Sequence, residues 1–358
     1  MKLDDTQKLL SSDWVADLTV AVPKGSRVIV VCSRGSVKRG TLDSIRGAIA
    51  GSEIIFEVFA PETPDLAFLH EIFEPVSRLS VDYIVAVGGG SVLDTAKAIK
   101  MLFSVKDWPD FQHQAENGIN CEPSGCPMIA IPTTAGSGSE VTPFATLWDR
   151  EAPKKLSIDA PWLLPRVPII DPCLLITLSG DRLLYPALDA ISHAVESLWS
   201  KRKTDESRGY ALRALASSEI AIQSFLNGRP DLDHFALAST NAGRAIAISR
   251  TALAHSISYP LTLAYGVPHG LACSFSLEAI FQLVCQRESL QVSEASPIQS
   301  ILRTVEPLEL RSRLSLYCDE SKATQLLPQM LNTKRSSNMQ HAISPADLLD
   351  VLKVSFLR

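Results

Sequence analysis

Residues 85–100 read VAVGGGSVLDTAKAIK: an apolar run, three glycines, a serine, then apolar positions at helical spacing. A strand that ends on glycine and turns at once into a helix is the strongest constraint in this chain. Glycine is the residue that resists least where backbone bends tightly or lies close to another molecule. A bend needs one glycine; three point to a ligand lying on the backbone, with a tight strand-to-helix turn as the competing reading. The N–H groups and positive dipole end of the helix that follows suit a phosphate.

Other short apolar runs share this rhythm. RVIVVC (27–32), SEIIFEVF (52–59), VDYIVAVGGG (81–90), CPMIAIPTT (126–134) and VPIIDP (167–172) read as strands, with a helix from about Ser91 to Leu102. Strands alternating with helices predict a parallel sheet covered on both faces, an α/β N-terminal domain over residues 1–178. From residue 179 to 358 apolar residues recur every three or four positions, predicting an all-helical second domain. Ser179 is the expected N-cap of its first helix, and Pro186 marks a start, restart or kink. The polar segment 286–345 carries no clear period.

A chain of 358 residues with net charge −5 is not built around a nucleic-acid or anionic-membrane surface. No apolar run reaches the roughly 18 residues of a membrane span. The first residues, MKLDDTQKLLSSDW, lack the apolar core of a secretion signal. Seven cysteines without a CxxC pair fit free thiols in a reducing cytoplasm.

A second loop, PTTAGSGSE (132–140), also follows a strand and gathers hydroxyls around two glycines. Ligands of open α/β sheets bind outside the carboxyl ends of the strands. Two such loops in one sheet favour a nucleotide site over two plain turns. In the second half, ALDAISHAVE places Asp189 and His193 four residues apart, on one helical face. His255 and His269 follow downstream. One carboxylate and three imidazoles make a donor set for Fe²⁺ or Zn²⁺, an ion suited to polarising an oxygen. Taken singly, each histidine reads as well as a core or solvated residue.

GGGSVLDTAKAI, PTTAGSGSEVT, KLSIDAP, ALDAISHAVE and AHSISYPL…GVPHG, in this order, resemble the iron-containing (group III) alcohol dehydrogenases. The resemblance implies a dinucleotide-binding α/β domain with a parallel sheet, an all-helical metal-binding domain, and an active site in the cleft between them. It implies that Asp189, His193, His255 and His269 hold the metal. It implies that Gly89, Gly90, Ser91 and Asp94 contact NAD(H) or NADP(H), with Thr133, Thr134, Ser137 and Lys155 at further cofactor positions. Family members often carry a second histidine four residues after the third ligand; Tyr259 stands there, a candidate proton donor or substrate contact. Arg34, just after the first strand, stands where NAD-preferring members carry an acidic residue, and suits a 2′-phosphate.

The implied activity is reduction of a small-molecule aldehyde to a primary alcohol. The segments SHAVESLWS and ISRTALAHSISYPLT resemble the subgroup that reduces phosphonoacetaldehyde to 2-hydroxyethylphosphonate. A phosphonate needs cationic partners. Arg250, five residues before His255, is the leading candidate, ahead of Arg244, Arg208 and Lys201. A general short-chain alcohol dehydrogenase is the alternative, then a dehydroquinate synthase-like lyase, which would return its cofactor unchanged, and a non-catalytic nucleotide-binding protein with a decayed site. The family likeness also implies a homodimer through sheet edges.

Overall fold

The computed structural model describes residues 10–152, 154–287, 290–331 and 333–357. The stretch read for a leader lies partly outside them, at 1–9. Two compact units emerge. One holds the chain to Thr134 together with Ser139–Leu175; the other holds Ala135–Gly138 together with Ile176 onward.

The first unit is built on a five-stranded sheet: β1 (Arg27–Cys32), β2 (Glu53–Phe59), β3 (Tyr83–Gly88), β4 (Met128–Pro132) and β7 (Val167–Pro168), in the order β2-β1-β3-β4-β7. Every pairing is parallel. Alternation along the strands decides the two cores. Ile29, Val31, Ile84, Ala86, Met128 and Ala130 face one side, packed with α4 (Leu66–Ser77), α5 (Gly90–Leu102) and α6 (Trp108–Asn117). Val28, Val30, Val85, Val87, Ile129 and Ile131 face the other, with α1 (Trp14–Ala21) and α3 (Thr41–Ala48). A short helix, α2 (Arg34–Lys38), follows β1 directly.

The sheet differs from the expected strands in two places. VPIIDP forms only the two-residue strand β7, because Pro168 has no N–H to continue a ladder. An antiparallel hairpin, β5 (Phe144–Asp149) with β6 (Lys154–Asp159), stands apart from the main sheet. It was not expected, because its strands lack a long β-branched run.

The second unit is helical: α7 (Asp181–Trp199), α8 (Asp205–Leu226), α9 (Leu232–Ser249), α10 (Leu253–Tyr265), α11 (His269–Ser274), α12 (Leu277–Arg287), α13 (Val292–Val305), α14 (Leu310–Leu314), α15 (Glu320–Gln325), α16 (Leu327–Met330), α17 (Thr333–Ser336) and α18 (Pro345–Leu357). Among its described residues the only β-pairing is one bridge, Ser200 to Met339. Helix α7 runs through Pro186 without stopping. Its N-cap is Gly180, at φ 52, with no side-chain cap, and not Ser179. Ser179 contributes its carbonyl instead, accepting the Arg182 N–H at 3.2 Å. No helix among the described residues is long and apolar enough to cross a membrane.

Candidate active site

The glycine turn sits where β3 ends, beside the end of β1 in the sheet order. The glycines have reasons of their own. A Cβ on Gly88 would lie 2.4 Å from a Val92 methyl, and one on Gly89 would lie 3.1 Å from the Thr134 hydroxyl. Close packing against α5 for Gly88, and against the second loop for Gly89, therefore accounts for these two before any ligand does. Gly89 is also the N-cap of α5, and no side chain caps that helix. Thr133 donates its N–H to the Gly88 carbonyl at 2.9 Å, which ties the second loop to the first. Ser91 donates its hydroxyl to the Glu62 carbonyl at 2.6 Å. Arg34 opens α2, with its guanidinium 5.7 Å from the Phe59 ring centre.

Asp94 is occupied by its own unit. One oxygen accepts the Ser139 hydroxyl at 2.7 Å and the other the Thr146 N–H at 2.8 Å. Burial raises its carboxyl above the usual range, opposed by Lys97. Lys97 is fully buried and donates to Ser139 Oγ at 2.7 Å, Thr142 Oγ1 at 3.2 Å and the Phe144 carbonyl at 2.8 Å. Burial lowers its ammonium to about 8, against the pull of Asp94 and Glu140. The pair thereby pins the β5–β6 hairpin to α5. Lys155 lies on that hairpin, in β6 opposite Trp148. Ser137 lies in the segment Ala135–Gly138, which belongs to the second unit.

The second unit brings the metal candidates together. Nε2 of His255, His193 and His269 lies 3.3, 3.5 and 3.8 Å from one atom, Asp189 Oδ1. Asp189 and His193 share a face of α7, one turn apart; His255 comes from α10 and His269 opens α11. Gly270 makes this possible. A Cβ there would fall 1.8 Å from the Tyr185 carbonyl oxygen, so α11 lies backbone to backbone on α7. Ser274 reinforces the contact, donating to the Leu188 carbonyl at 2.8 Å.

Glu196, one turn beyond His193 on α7, is the residue that sequence reasoning missed. It has no exposed surface. Its carboxylate accepts the N–H groups of Ala252, Ala254 and His255 at 2.9, 2.5 and 3.3 Å, satisfying the start of α10. It lies 2.7 Å from His255 Nδ1 as well. A proton donated from Nδ1 to Glu196 would leave Nε2 free to offer its lone pair to an ion beside Asp189. The signal was present in ALDAISHAVE: a carboxylate at i+3 from His193 on an otherwise buried face.

Electrostatics follow from the crowding. Burial alone would raise Asp189, but His193, His269 and His255 outweigh it and hold the carboxyl well below its usual range. Burial pushes His193 down to about 4. Burial disfavours charge on His255 too, yet Cys273, Glu196 and Asp189 outweigh it and raise it.

Do these residues fit a metal ion? Asp189 Oδ1 and His255 Nε2 are buried and make no hydrogen bond. A buried polar atom without a partner is expensive, and such atoms ask for an explanation. Donors bound about 2.0–2.2 Å from one tetrahedral ion lie roughly 3.3–3.6 Å apart. The distances from Asp189 Oδ1 to His255 and His193, 3.3 and 3.5 Å, match that edge length, and His269 lies slightly beyond it at 3.8 Å. Asp189, His255, His269 and Cys273 each offer one donor atom within 4.8 Å of the others, a set that fits a divalent cation, while His193 reaches the same Asp189 oxygen from outside that set.

Tyr259 flanks the same cluster, its ring stacked on His269 at 5.2 Å between centres and tilted against His255 at 6.2 Å. Burial raises its phenol, opposed by Arg335. Arg335, on α17, lies with its guanidinium 4.5 Å from the Tyr259 ring centre and donates to Thr251 Oγ1 at 3.3 Å. Asn338 anchors this stretch by donating to the Ser249 and Thr251 carbonyls. No period or motif in the polar segment 286–345 marks Arg335. Arg250 is the C-cap of α9, at φ 63, its N–H bonded to the Ile246 carbonyl. Of the weaker cations, Arg208 is paired with buried Glu294 at 3.0 Å, Arg244 lies 5.6 Å from the Tyr210 ring centre, and Lys201 is exposed.

Residues 11–172 match the family model "Iron-containing alcohol dehydrogenase", and residues 184–313 match "Fe-containing alcohol dehydrogenase family, C-terminal". The chain is 37% identical over 225 residues to a phosphonoacetaldehyde reductase of Streptomyces viridochromogenes, covering 61% of this chain and 56% of that protein. It is 30% identical over 246 residues to an NAD-dependent methanol dehydrogenase of Bacillus methanolicus, covering 67% and 63%. The chain thus spans little more than half the length of the first of these relatives. Its fold is that of a sulfoacetaldehyde reductase from Bifidobacterium kashiwanohense solved with NAD⁺, with a TM-score of 0.84 at 22% identity and coverage of 97% and 96%. An iron-containing alcohol dehydrogenase from Thermococcus thioreducens superimposes as well, with a TM-score of 0.84 at 22% identity and coverage of 98% and 97%. The two family matches fall on successive parts of the chain and share one name: the chain belongs to the iron-containing alcohol dehydrogenase family.

Proposed function

We propose that this chain is a metal-dependent NAD(P)H oxidoreductase that reduces a small aldehyde to a primary alcohol, with phosphonoacetaldehyde as the substrate. The observation that carries the reading is the convergence of three imidazoles on a buried Asp189 oxygen that makes no hydrogen bond. Asp189, His193, His255 and His269 hold the divalent ion, Fe²⁺ or Zn²⁺. Such an ion supplies Lewis acidity, which polarises a carbonyl oxygen. The reduced nicotinamide supplies hydride.

The remaining work falls to the chain. Glu196 keeps the His255 lone pair aimed at the site. Tyr259, a neutral phenol beside His269, offers a hydroxyl to the substrate oxygen or to the proton path. Gly89, Gly90 and Ser91 at the start of α5 offer backbone N–H groups to a pyrophosphate, with Thr133 and Thr134 beside them. Asp94 acts through Ser139 and Thr146, shaping that wall. Ser137 and Lys155 complete the cofactor set, and Arg34 supports NADP(H) over NAD(H). Arg335 beside Tyr259, together with Arg250, supports an anionic substrate, as does the likeness to a phosphonoacetaldehyde reductase. A cytoplasmic homodimer joined at the free edge of β2 completes the proposal, and sedimentation would check it.

The test is oxidation of NADPH and of NADH by the metal-loaded protein, with phosphonoacetaldehyde beside propanal. NADPH-preferring turnover of phosphonoacetaldehyde alone is the expected result. Equal or faster turnover of propanal would leave a general short-chain alcohol dehydrogenase. Net NAD(P)H consumption would exclude the lyase, which returns its cofactor unchanged.

A further inference from the structure

Arg335 comes from a segment that the rest of the second unit holds in place. Asn338 donates to the Ser249 and Thr251 carbonyls at 2.9 and 3.0 Å, and its own carbonyl accepts the Lys201 N–H at 2.7 Å. Met339 forms a bridge with Ser200. On that support the half-buried Arg335 donates from Nε to Thr251 Oγ1 at 3.3 Å and lays its guanidinium 4.5 Å from the Tyr259 ring centre. Among the described residues no carboxylate is paired with it, whereas Arg208, Arg287 and Arg313 meet Glu294, Asp347 and Asp181.

We infer that Arg335 sets substrate specificity by binding an oxyanion group that the aldehyde carries close to its carbonyl. The substrate class is then a short aldehyde with an anionic head, of which phosphonoacetaldehyde is one case. The inference rests on the reading of this chain as a metal-dependent aldehyde reductase and deepens it.

Charge and reach carry it. The two charges of a divalent ion are matched by the carboxylates of Asp189 and Glu196, the latter 2.7 Å from His255 Nδ1. Arg335 is then one positive charge in excess, set against a neutral phenol. A substrate anion balances it, and a plain alkanal does not. Reach follows from the stacking of Tyr259 on His269, 5.2 Å between ring centres. Taken end to end with the Arg335 contact, this puts the guanidinium within about 10 Å of the His269 ring centre. An oxyanion on the guanidinium and a carbonyl beside the imidazoles are therefore only a few bond lengths apart, the span of a two-carbon aldehyde. The Thr251 bond fixes the plane of the guanidinium fork, whose paired N–H groups match an oxyanion.

The test compares KM and kcat of zinc-loaded wild type, Arg335→Met and Arg335→Lys with NADPH, on phosphonoacetaldehyde and on propanal. Arg335→Met should raise KM for phosphonoacetaldehyde about 10- to 100-fold and lower its preference over propanal by a similar factor. Arg335→Lys, which keeps the charge without the fork, should fall between. Equal losses on both aldehydes overturn the inference, because they mark a mere support of Tyr259. No loss on either, or a wild type that prefers propanal, overturns it as well. If the wild type turns over neither aldehyde, the reductase reading falls and calorimetry decides Arg335 by itself, with 2-hydroxyethylphosphonate titrated into wild type and Arg335→Met. Binding that the variant loses upholds the anion site. Equal binding, or none to the wild type, overturns it.

Discussion

Glu196 shows how much one buried carboxylate can organise. It satisfies three N–H groups at the start of α10 and meets His255 Nδ1 as well. Glu196→Gln keeps the shape but weakens the hold on His255. Metal affinity should fall about 10- to 100-fold, read by chelator competition, with the far-ultraviolet spectrum unchanged. Lys97 makes a different prediction. Its folded value of about 8 lies below the ordinary lysine value of 10.5. Between those two pH values the unfolded chain binds the extra proton, so stability rises with pH across that window. Relative to Lys97→Met, the wild type should gain up to about 1.4 kcal/mol per pH unit from 8 towards 10.5, measured by urea unfolding. A flat difference would mean that the ammonium stays charged throughout. At this scale the sequence was informative where residues repeat a spacing. Asp189 with His193 announces a shared helical face. Glu196 and Cys273 lie on equally regular spacings, three residues after His193 and four after His269, but single residues of common types carry no mark without the partner helix. Arg335 had none, because its contact with Tyr259 joins elements far apart in the chain.

Elements in this protein are set by close approach. The β3–α5 turn needs Gly88 because Val92 fills the space a side chain would take. Gly88→Ala should destabilise the protein by about 1–3 kcal/mol, as overpacking does. Adding Val92→Ala should recover part of that loss in a double-mutant cycle. If the second change recovers nothing, the strain lies in the backbone instead. Gly270 faces rigid backbone, the Tyr185 carbonyl, so no neighbour can yield by rotating a side chain. Gly270→Ala should therefore be more damaging than Gly88→Ala, with lost metal uptake accompanying a lower denaturant midpoint. The parallel strands were legible because a strand buried on both faces reads as a continuous apolar run. The β5–β6 hairpin was not, since its strands, FATLWD and KKLSID, lack a continuous β-branched run. The start of α7 was misplaced by a residue, because a serine before a helix is only a frequent cap, and here glycine geometry prevailed.

At the scale of the whole chain, the proposed metal ligands all fall in the unit beginning at Ile176, whereas the glycine turn falls in the other. An ion that binds only the folded form stabilises it by about 2.7 kcal/mol at a hundred times its dissociation constant. Stripping the ion should therefore raise hydrogen exchange first in α7, α10 and α11, with β1, β3 and β4 little changed. Equal loosening of both sets would mean that the units unfold as one. The excursion of Ala135–Gly138 has a practical side. A Cβ on Gly138 would meet Gly243, and one on Gly136 would meet Pro186, so this short segment fills a slot lined by α7 and α9. A polypeptide begun at Ile176 would lack its own inlay. The helical half is therefore not a module that evolution or an engineer can graft by cutting the gene once; the graft must carry a tetrapeptide encoded some forty codons upstream.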